Sequence, residues 1–425
     1  MHNRSVIDMD IYKNIIGYDY VKQELNRIID CINNREKYEK LGIYIPKNLL
    51  LWGDPGVGKT LFATVFIKAL DRKKYTIKKN LPKGNFLTHL ETKIKEAINN
   101  QPAVVLLDDM DKYANNDLQH RNAEEFILLQ SLIDSCKNKD VYFVATANDL
   151  SAIPDSLTRK GRFDCKIEVQ TPSTKDATKI IEHYLKGKKV DKDIDCEELA
   201  KLMNGESCAF LETLINDAGL YAGYDNCELI KRIHIIKAFL RNVYSVNEDD
   251  EGEISDDSLE YLAYHESGHT LISELLEPHS VNLVTAKRFR GSLGGLTSAA
   301  KDDDFWYDFN NMKKEITVLL GGKAATEIHF NKLDPGAGSD ISKAESILTH
   351  VYNAYYGNNF YTFEDSSADG FKQMGEAWVC HQLQNYYAKA KDILFNNKDK
   401  LDKLAKALID KKLLLHDDIN EILWS

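Results

Sequence analysis

Along the first part of the chain, short uninterrupted apolar runs alternate with segments whose apolar residues recur every three or four positions. LLLW at 49–52, VVLL at 104–107 and VYFVAT at 141–146 predict strands buried on both faces, as in a parallel sheet. The segments 61–70, 87–99 and 121–137 predict helices around them. From Ile7 to Pro172 this alternation is the pattern of a doubly wound α/β domain. A Pro–Ser–Thr turn at 172–174 then opens four short amphipathic segments, 176–186, 195–203, 209–221 and 231–243. They predict a small helical bundle over 173–245.

NEDDEGEISDDS at 247–258 is dominated by carboxylates and predicts a solvated linker, placed at 246–258. Beyond it, 259–425 is again mainly helical by periodicity. The exception is a glycine-rich candidate β segment near 281–300, and the amphipathic LDKLAKALI at 401–409 predicts the last helix.

Composition narrows the class. A chain of 425 residues suggests two or three domains, and 43% hydrophobic with 28% charged residues is a globular balance. A net charge of −11 argues against general affinity for nucleic acid or anionic membranes. The seven cysteines are scattered and never form C-x-x-C, which reads as reduced thiols in a cytoplasmic protein. MHNRSVIDMDIYKN lacks the apolar stretch of a secretory signal, and no run approaches membrane-spanning length, so the expectation is a soluble chain.

Two motifs carry chemistry. GDPGVGKT at 53–60 matches G-x-x-x-x-G-K-[ST] between a predicted strand and a predicted helix. In that context Gly53, Gly56 and Gly58 permit a tight path through Asp54, Pro55 and Val57, with Leu61 opening the helix. Backbone amides then converge on phosphates, Lys59 reaches the β and γ groups, and Thr60 offers a hydroxyl to Mg²⁺. AVVLLDDMD ends the next apolar run with Asp108, placed to hold Mg²⁺, and Asp109, placed to orient water. ATAN ends the third run on the polar Asn148. Arg159 and Arg162 in TRKGRFD are either surface charge or arginine fingers acting across a subunit boundary.

The second motif is YHESGHTLI at 264–272, which contains H-E-x-x-H. On a helix, His265 and His269 lie one turn apart and can share a zinc ion, with Glu266 as general base. The third ligand is open among His279, His329, Asp334 and Asp340; the last reads equally as a helix N-cap.

The phosphate loop, LLDDMD, Asn148 and R-x-G-R-F-D resemble the AAA+ ATPases. IIGYDYVKQEL at 15–25 is similar to that family's adenine cradle, with Ile16 and Gly17 in the matching places, and 205–222 resembles its lid. H-E-x-x-H, then LLGGKAATEIHF at 319–330 and GAGSDISKAES, resemble the FtsH family of ATP-dependent zinc metalloproteases, whose pattern implies Asp340 as the third zinc ligand. The resemblance runs from about Asp8 to Leu423. It implies an α/β P-loop AAA+ domain with a helical lid, followed by a mainly α-helical zinc metalloprotease domain. It also implies ATP, Mg²⁺ and Zn²⁺ as cofactors, polypeptide substrates and a homo-hexamer, with a membrane-protein partner or adaptor left open.

This chain departs from the family pattern in four places. It lacks the membrane-spanning N-terminal region, Asp109 replaces a glutamate, Ser267 replaces an alanine, and the aromatic pore signature is missing. LPKGNF at 81–86 takes the place of that signature, so Phe86 either grips substrate or packs at the start of helix 87–99. GGLT at 294–297 offers either a strand edge for substrate or a flexible turn. The rival functions are a non-proteolytic remodeller and a zinc peptidase with a degenerate, regulatory ATPase.

Overall fold

The computed structural model describes residues 9–43, 45–79, 83–114, 123–244, 255–287, 295–299, 309–332, 336–356 and 369–425. The chain divides into two compact units, Met1–Ile235 and Ile236–Ser425.

The first unit opens with α1 (Asp19–Asn33) and the short α2 (Arg35–Glu39). Then come β1 (Asn48–Trp52), α3 (Lys59–Ala69), β2 (Lys73–Lys78), α4 (Lys83–Asn99), β3 (Ala103–Asp108), α5 (Ala123–Ser135), β4 (Val141–Ala147) and β5 (Cys165–Glu168). The strands form one parallel sheet in the order β2-β3-β4-β1-β5. Because successive strand residues face opposite sides, the three apolar runs feed two cores. Leu50, Val105, Leu107, Phe143 and Ala145 pack with Leu90, Ile94 and Leu129 of α4 and α5. Leu49, Leu51, Val104, Leu106 and Val144 pack with Leu25, Phe62 and Phe66 of α1 and α3.

The central strands are the three the apolar runs predict. The edge strands β2 and β5 are additional. KKYTIK buries only Tyr75 and Ile77, and CKIE only Ile167, so neither shows a continuous apolar run. Four helices follow, α6 (Thr174–Leu185), α7 (Cys196–Leu202), α8 (Cys208–Tyr224) and α9 (Arg232–Tyr244), matching the four expected amphipathic segments; α9 begins in the first unit and runs past its end at Ile235 into the second. Side chains of Ser173, Asp195 and Ser207 cap the first three, accepting from backbone N–H groups that would otherwise be orphaned.

One open alternative is decided here. Phe86 lies in the first turn of α4, is 0% exposed, and meets Tyr113 edge-on with ring centroids 5.1 Å apart. It is core, and offers no side chain to grip a substrate. The preceding Leu81 and Pro82 lie outside the described residues, as do 245–254 of the acidic stretch.

In the second unit, Ser255 caps α10 (Asp256–Leu276) by accepting from the Ser258 N–H, so the end of the acidic stretch is helical. Asp256 and Asp257 lie in its first turn, where the helix dipole favours negative charge. β6 (Val281–Thr285) and β7 (Leu296–Ala299) follow, then α11 (Phe309–Leu319), α12 (Gly321–Phe330), α13 (Gly338–Val351), α14 (Asp369–Asn396), α15 (Lys398–Lys411), β8 (Leu413–Leu415) and α16 (His416–Trp424). The strands pair antiparallel in the order β7-β6-β8. LDKLAKALI is therefore the penultimate helix. Lys412, with φ of 59°, turns the chain back through a three-residue strand into α16, too short a strand to show in a periodicity. α10 forms the axis of this unit's core, where Ala263, Leu271 and Ile272 pack with Leu320, Ala324, Leu401 and Leu408.

Candidate functional site

The phosphate loop leaves β1 at Gly53, whose φ of 143° and contact with Val169 leave no room for a side chain. A Cβ there would sit 2.1 Å from the Val169 carbonyl oxygen. α3 starts at Lys59, so the loop opens a helix N-terminus as the motif requires. Lys59 is 6% exposed, and its Nζ donates to the carbonyls of Gly53 and Asp54 at 2.8 and 2.7 Å. Burial pushes its pKa down against the pull of Asp111, Asp109, Asp54 and Asp108. Asp54, Pro55, Gly56, Thr60 and Leu61 are exposed, Gly58 is half-buried and Val57 is buried.

The segment expected to cradle adenine meets α6. Gly17 (φ 68°) lies against the carboxylate of Asp176 on α6, which accepts from the Tyr18 N–H at 3.1 Å; Ile16 beside it is half-buried. At the N-terminus of α8, the Ala209 N–H donates to the Gly56 carbonyl at 3.1 Å. Asp176 and Ala209 were not singled out by sequence, because nothing local marks a residue that meets a loop more than a hundred positions away.

Asp108 ends β3, and its carboxylate is fully engaged. Oδ1 accepts from the hydroxyls of Thr60 at 3.1 Å and Thr146 at 2.9 Å, and Oδ2 accepts from Lys78 at 3.0 Å. Burial works to raise its pKa, but the hydrogen bonds from Lys78, Thr146 and Thr60 outweigh it and hold the carboxyl below its ordinary range. Asp109 follows in left-handed backbone (φ 52°). Its N–H donates to Thr146 Oγ1 at 2.9 Å, and its Oδ2 accepts from Lys112 at 2.7 Å. The Asn148 N–H donates to Asp111 at 3.0 Å. Arg159 is exposed, whereas Arg162 forks onto Asp134 of its own chain at 2.8 and 3.0 Å and also donates to the Ser156 carbonyl.

In the second unit, α10 places His265 and His269 on one face, with Nε2 atoms 3.1 Å apart. Asp340 Oδ2 lies 3.3 Å from the first and 3.4 Å from the second. Three donors around a tetrahedral zinc with bonds of 2.0–2.1 Å lie about 3.3 Å from one another. The triangle therefore fits zinc, and it is the metal-capable group found among the described residues. Asp340 sits in the first turn of α13, whose N-cap is Ala337, so it is not the cap.

The other candidates are engaged elsewhere. His279 shares a hydrogen bond with Asn420 at 2.7 Å, and His329 stacks on Tyr264 and meets Glu260 at 3.0 Å. Asp334 lies outside the described residues.

The surroundings tune these donors. The Val318 carbonyl accepts from His269 Nδ1 at 2.7 Å, which fixes the tautomer that turns the Nε2 lone pair to the metal position. Burial works against charge on both His269 and Asp340. Their mutual hydrogen bonding and attraction win, raising the imidazole pKa and holding the carboxyl far below its ordinary value. Glu266 is pushed up by burial, opposed by His269, His265 and a 2.9 Å hydrogen bond donated by Thr297 of β7. Gly322 of α12 clears the histidines: a Cβ there would lie 2.5 Å from His269 Nε2 and 2.6 Å from His265 Nε2. Gly268 and Gly321 let α10 and α12 approach backbone to backbone. Thr297, Val318 and Gly322 were missed by sequence reading, although the double glycine in LLGGKAA was a visible sign of close helix contact.

Residues 49–171 match the family described as ATPase family associated with various cellular activities (AAA), and residues 253–357 match peptidase family M41. The chain is 27% identical to ATP-dependent zinc metalloprotease FtsH 2 of Thermoanaerobacter sp. (strain X514), over 97% of this chain and 82% of the relative. It is 30% identical to ATP-dependent zinc metalloprotease FtsH 2 of Phytoplasma mali (strain AT), over 97% and 62%, and 26% identical to ATP-dependent zinc metalloprotease FtsH of Helicobacter pylori (strain J99 / ATCC 700824), over 97% and 70%. The chain belongs to the FtsH family of ATP-dependent zinc metalloproteases. The first unit is its AAA ATPase, and the zinc-fitting triangle lies in its M41 peptidase domain. No described helix of this FtsH-family chain is long and apolar enough to cross a membrane.

Proposed function

We propose that this chain is a zinc endopeptidase whose cleavage of polypeptide is driven by its own ATP hydrolysis, working in the cytoplasm as a homo-hexamer. The observation that carries the reading is the His265–His269–Asp340 triangle with Glu266 beside it, in the same chain as an intact phosphate loop. Zinc held by the triangle would polarise a scissile carbonyl and acidify a water. Glu266, steadied by Thr297, takes the proton from that water and returns it to the leaving amine.

At the ATPase site, Lys59 turns from the loop carbonyls to the β and γ phosphates, Thr60 and Asp108 hold Mg²⁺, and Asp109 with Asn148 orients water. Ile16 and Gly17 cradle adenine. Arg159 and Arg162 serve the neighbouring subunit's site, Arg162 after leaving Asp134. The substrates are polypeptides, and an adaptor or membrane-protein partner would deliver them.

A second reading, a zinc peptidase with a regulatory ATPase, draws support from Asp109 being tied to Lys112 and Phe86 being buried. Degradation of a folded and an unfolded reporter, each with and without ATP and a zinc chelator, separates the two. Chelator-sensitive, ATP-dependent loss of both reporters is expected. ATP-independent cleavage confined to the unfolded reporter would favour the regulatory reading, and chelator-resistant cleavage would overturn both.

A further inference from the structure

Lys78, the last residue of β2, stands in register with Asp108 on β3. Its Nζ donates to Asp108 Oδ2 at 3.0 Å and lies 3.9 Å from Asp109 Oδ2, so one ammonium faces both members of the acid pair. Asp108 Oδ1 is taken by two hydroxyls, which leaves Oδ2, the oxygen bound by Lys78, as the outlet for its charge. β2 is an edge strand, and the Lys78 side chain is 55% exposed. The residue fills no core space, and packing does not account for its place. It does bring a permanent positive charge to the carboxylate that a phosphate-bound Mg²⁺ would approach.

We propose that Lys78 is a resident cation of the nucleotide site, supplying part of the positive charge that Mg²⁺ brings to bound ATP. The proposal rests on reading 53–60 as the nucleotide loop. Two electrostatic effects follow, both from charge proximity. Without Mg²⁺, the triphosphate meets Lys78 as well as Lys59, and binding is stronger than Lys59 alone allows. With Mg²⁺, the dication and the ammonium compete for Asp108 and repel each other, so the metal adds less. Lys78 thus narrows the gap between metal-free and metal-supported ATP binding from both sides.

The experiment measures Kd for a mant-labelled, non-hydrolysable ATP analogue on the full chain, in excess EDTA and in excess Mg²⁺. In Lys78→Ser the ratio of the two constants, EDTA over Mg²⁺, should rise at least about tenfold, the scale set by losing one charge-assisted hydrogen bond. Lys78→Arg, which keeps the charge, should restore the wild-type ratio. Lys78→Met keeps the aliphatic stem and repeats the test should the serine variant not fold. An unchanged or smaller ratio in a charge-removing variant that still binds the analogue overturns the proposal. If wild type fails to bind the analogue, or Lys59→Ala binds it as tightly as wild type, the nucleotide reading falls and this proposal with it.

Discussion

Asp108 in the first unit and Asp340 in the second are both carboxylates set where a divalent cation would need them, yet the chain treats them differently. Asp108 is saturated from within by two hydroxyls and an ammonium. Asp340 faces two imidazole nitrogens 3.1 Å apart. His269 donates through Nδ1 to a carbonyl, so its Nε2 presents a lone pair toward His265. Lone pairs and a carboxylate converging at that distance need a proton or a cation between them. At the first site an ammonium sits on the Asp108 oxygen that would face a metal, whereas at the second the nearby ammonium, Lys343, lies 3.6 Å from the other Asp340 oxygen, Oδ1, and leaves Oδ2 to the two imidazoles. Metal affinity should accordingly be intrinsic to the peptidase site and conditional at the ATPase site.

The sharpest way to break this contrast is at the peptidase. Glu266→Gln should retain one zinc per chain and lose peptide cleavage by orders of magnitude. His265→Ala and Asp340→Ala should lose the zinc itself, read by atomic absorption after dialysis. Full zinc occupancy in Asp340→Ala would remove it from the triangle.

Next in size is the water-orienting carboxylate. Asp109 is one methylene shorter than glutamate, and a misplacement of about 1 Å can cost roughly 100-fold in rate. Asp109→Glu should therefore hold or raise ATP turnover. A collapse would show that Lys112 and the left-handed backbone at 109 have adapted the site to aspartate.

A smaller effect is expected at the ligating edge of the histidines. Gly322→Ala pushes a methyl against both ligating Nε2 atoms, displaces the rings, and should weaken zinc binding by at least about 10-fold, the lower end of what disturbed ligand orientation costs at metal sites. ATP binding by the same variant should not change, and a parallel loss there would indicate general unfolding.

The smallest concerns Glu327, also on α12. It is bound by Lys323 and Lys391 at 2.7 and 3.1 Å and by the Tyr387 hydroxyl. Burial works upward on its pKa, but those three partners lower it to about 2. A depressed carboxylate contributes stability that is present above its unfolded pKa near 4.5 and is lost as pH falls through about 2. Glu327→Gln should lower the thermal midpoint at pH 7, and the difference from wild type should shrink as pH falls through that window. A constant difference across it would show that packing, not charge, holds α12 to α14.

Much of this was legible in the sequence, and the reason differs by feature. Central strands carry continuous apolar runs because both faces are buried, so β1, β3 and β4 announced themselves. The same periodicity could not show β2, where charged residues alternate with Tyr75 and Ile77, and with it Lys78 went unremarked. Phe86 shows the limit from the other side, since an aromatic after Lys–Gly–Asn reads equally as a gripping side chain or as the start of a packed helix until α4 and Tyr113 enclose it. Asp340 was a ligand by resemblance and a possible cap by local rule; the backbone puts it inside the first turn of α13, with Ala337 at the cap.

What the sequence determined by itself is the chemistry that works within one turn or one loop. A histidine pair four residues apart on a helix, with a glutamate between, and a glycine-rich path into a lysine and threonine need only local geometry to be recognised. Tertiary structure decided everything that depends on two distant segments meeting. It brings Asp340 to the histidines, Thr297 to Glu266, Gly322 against both Nε2 atoms, and Lys78 to Asp108 across a strand pair. Local propensity acts over a few residues, whereas these distances of closest approach are set by how helices and strands pack, and only the folded chain contains that information.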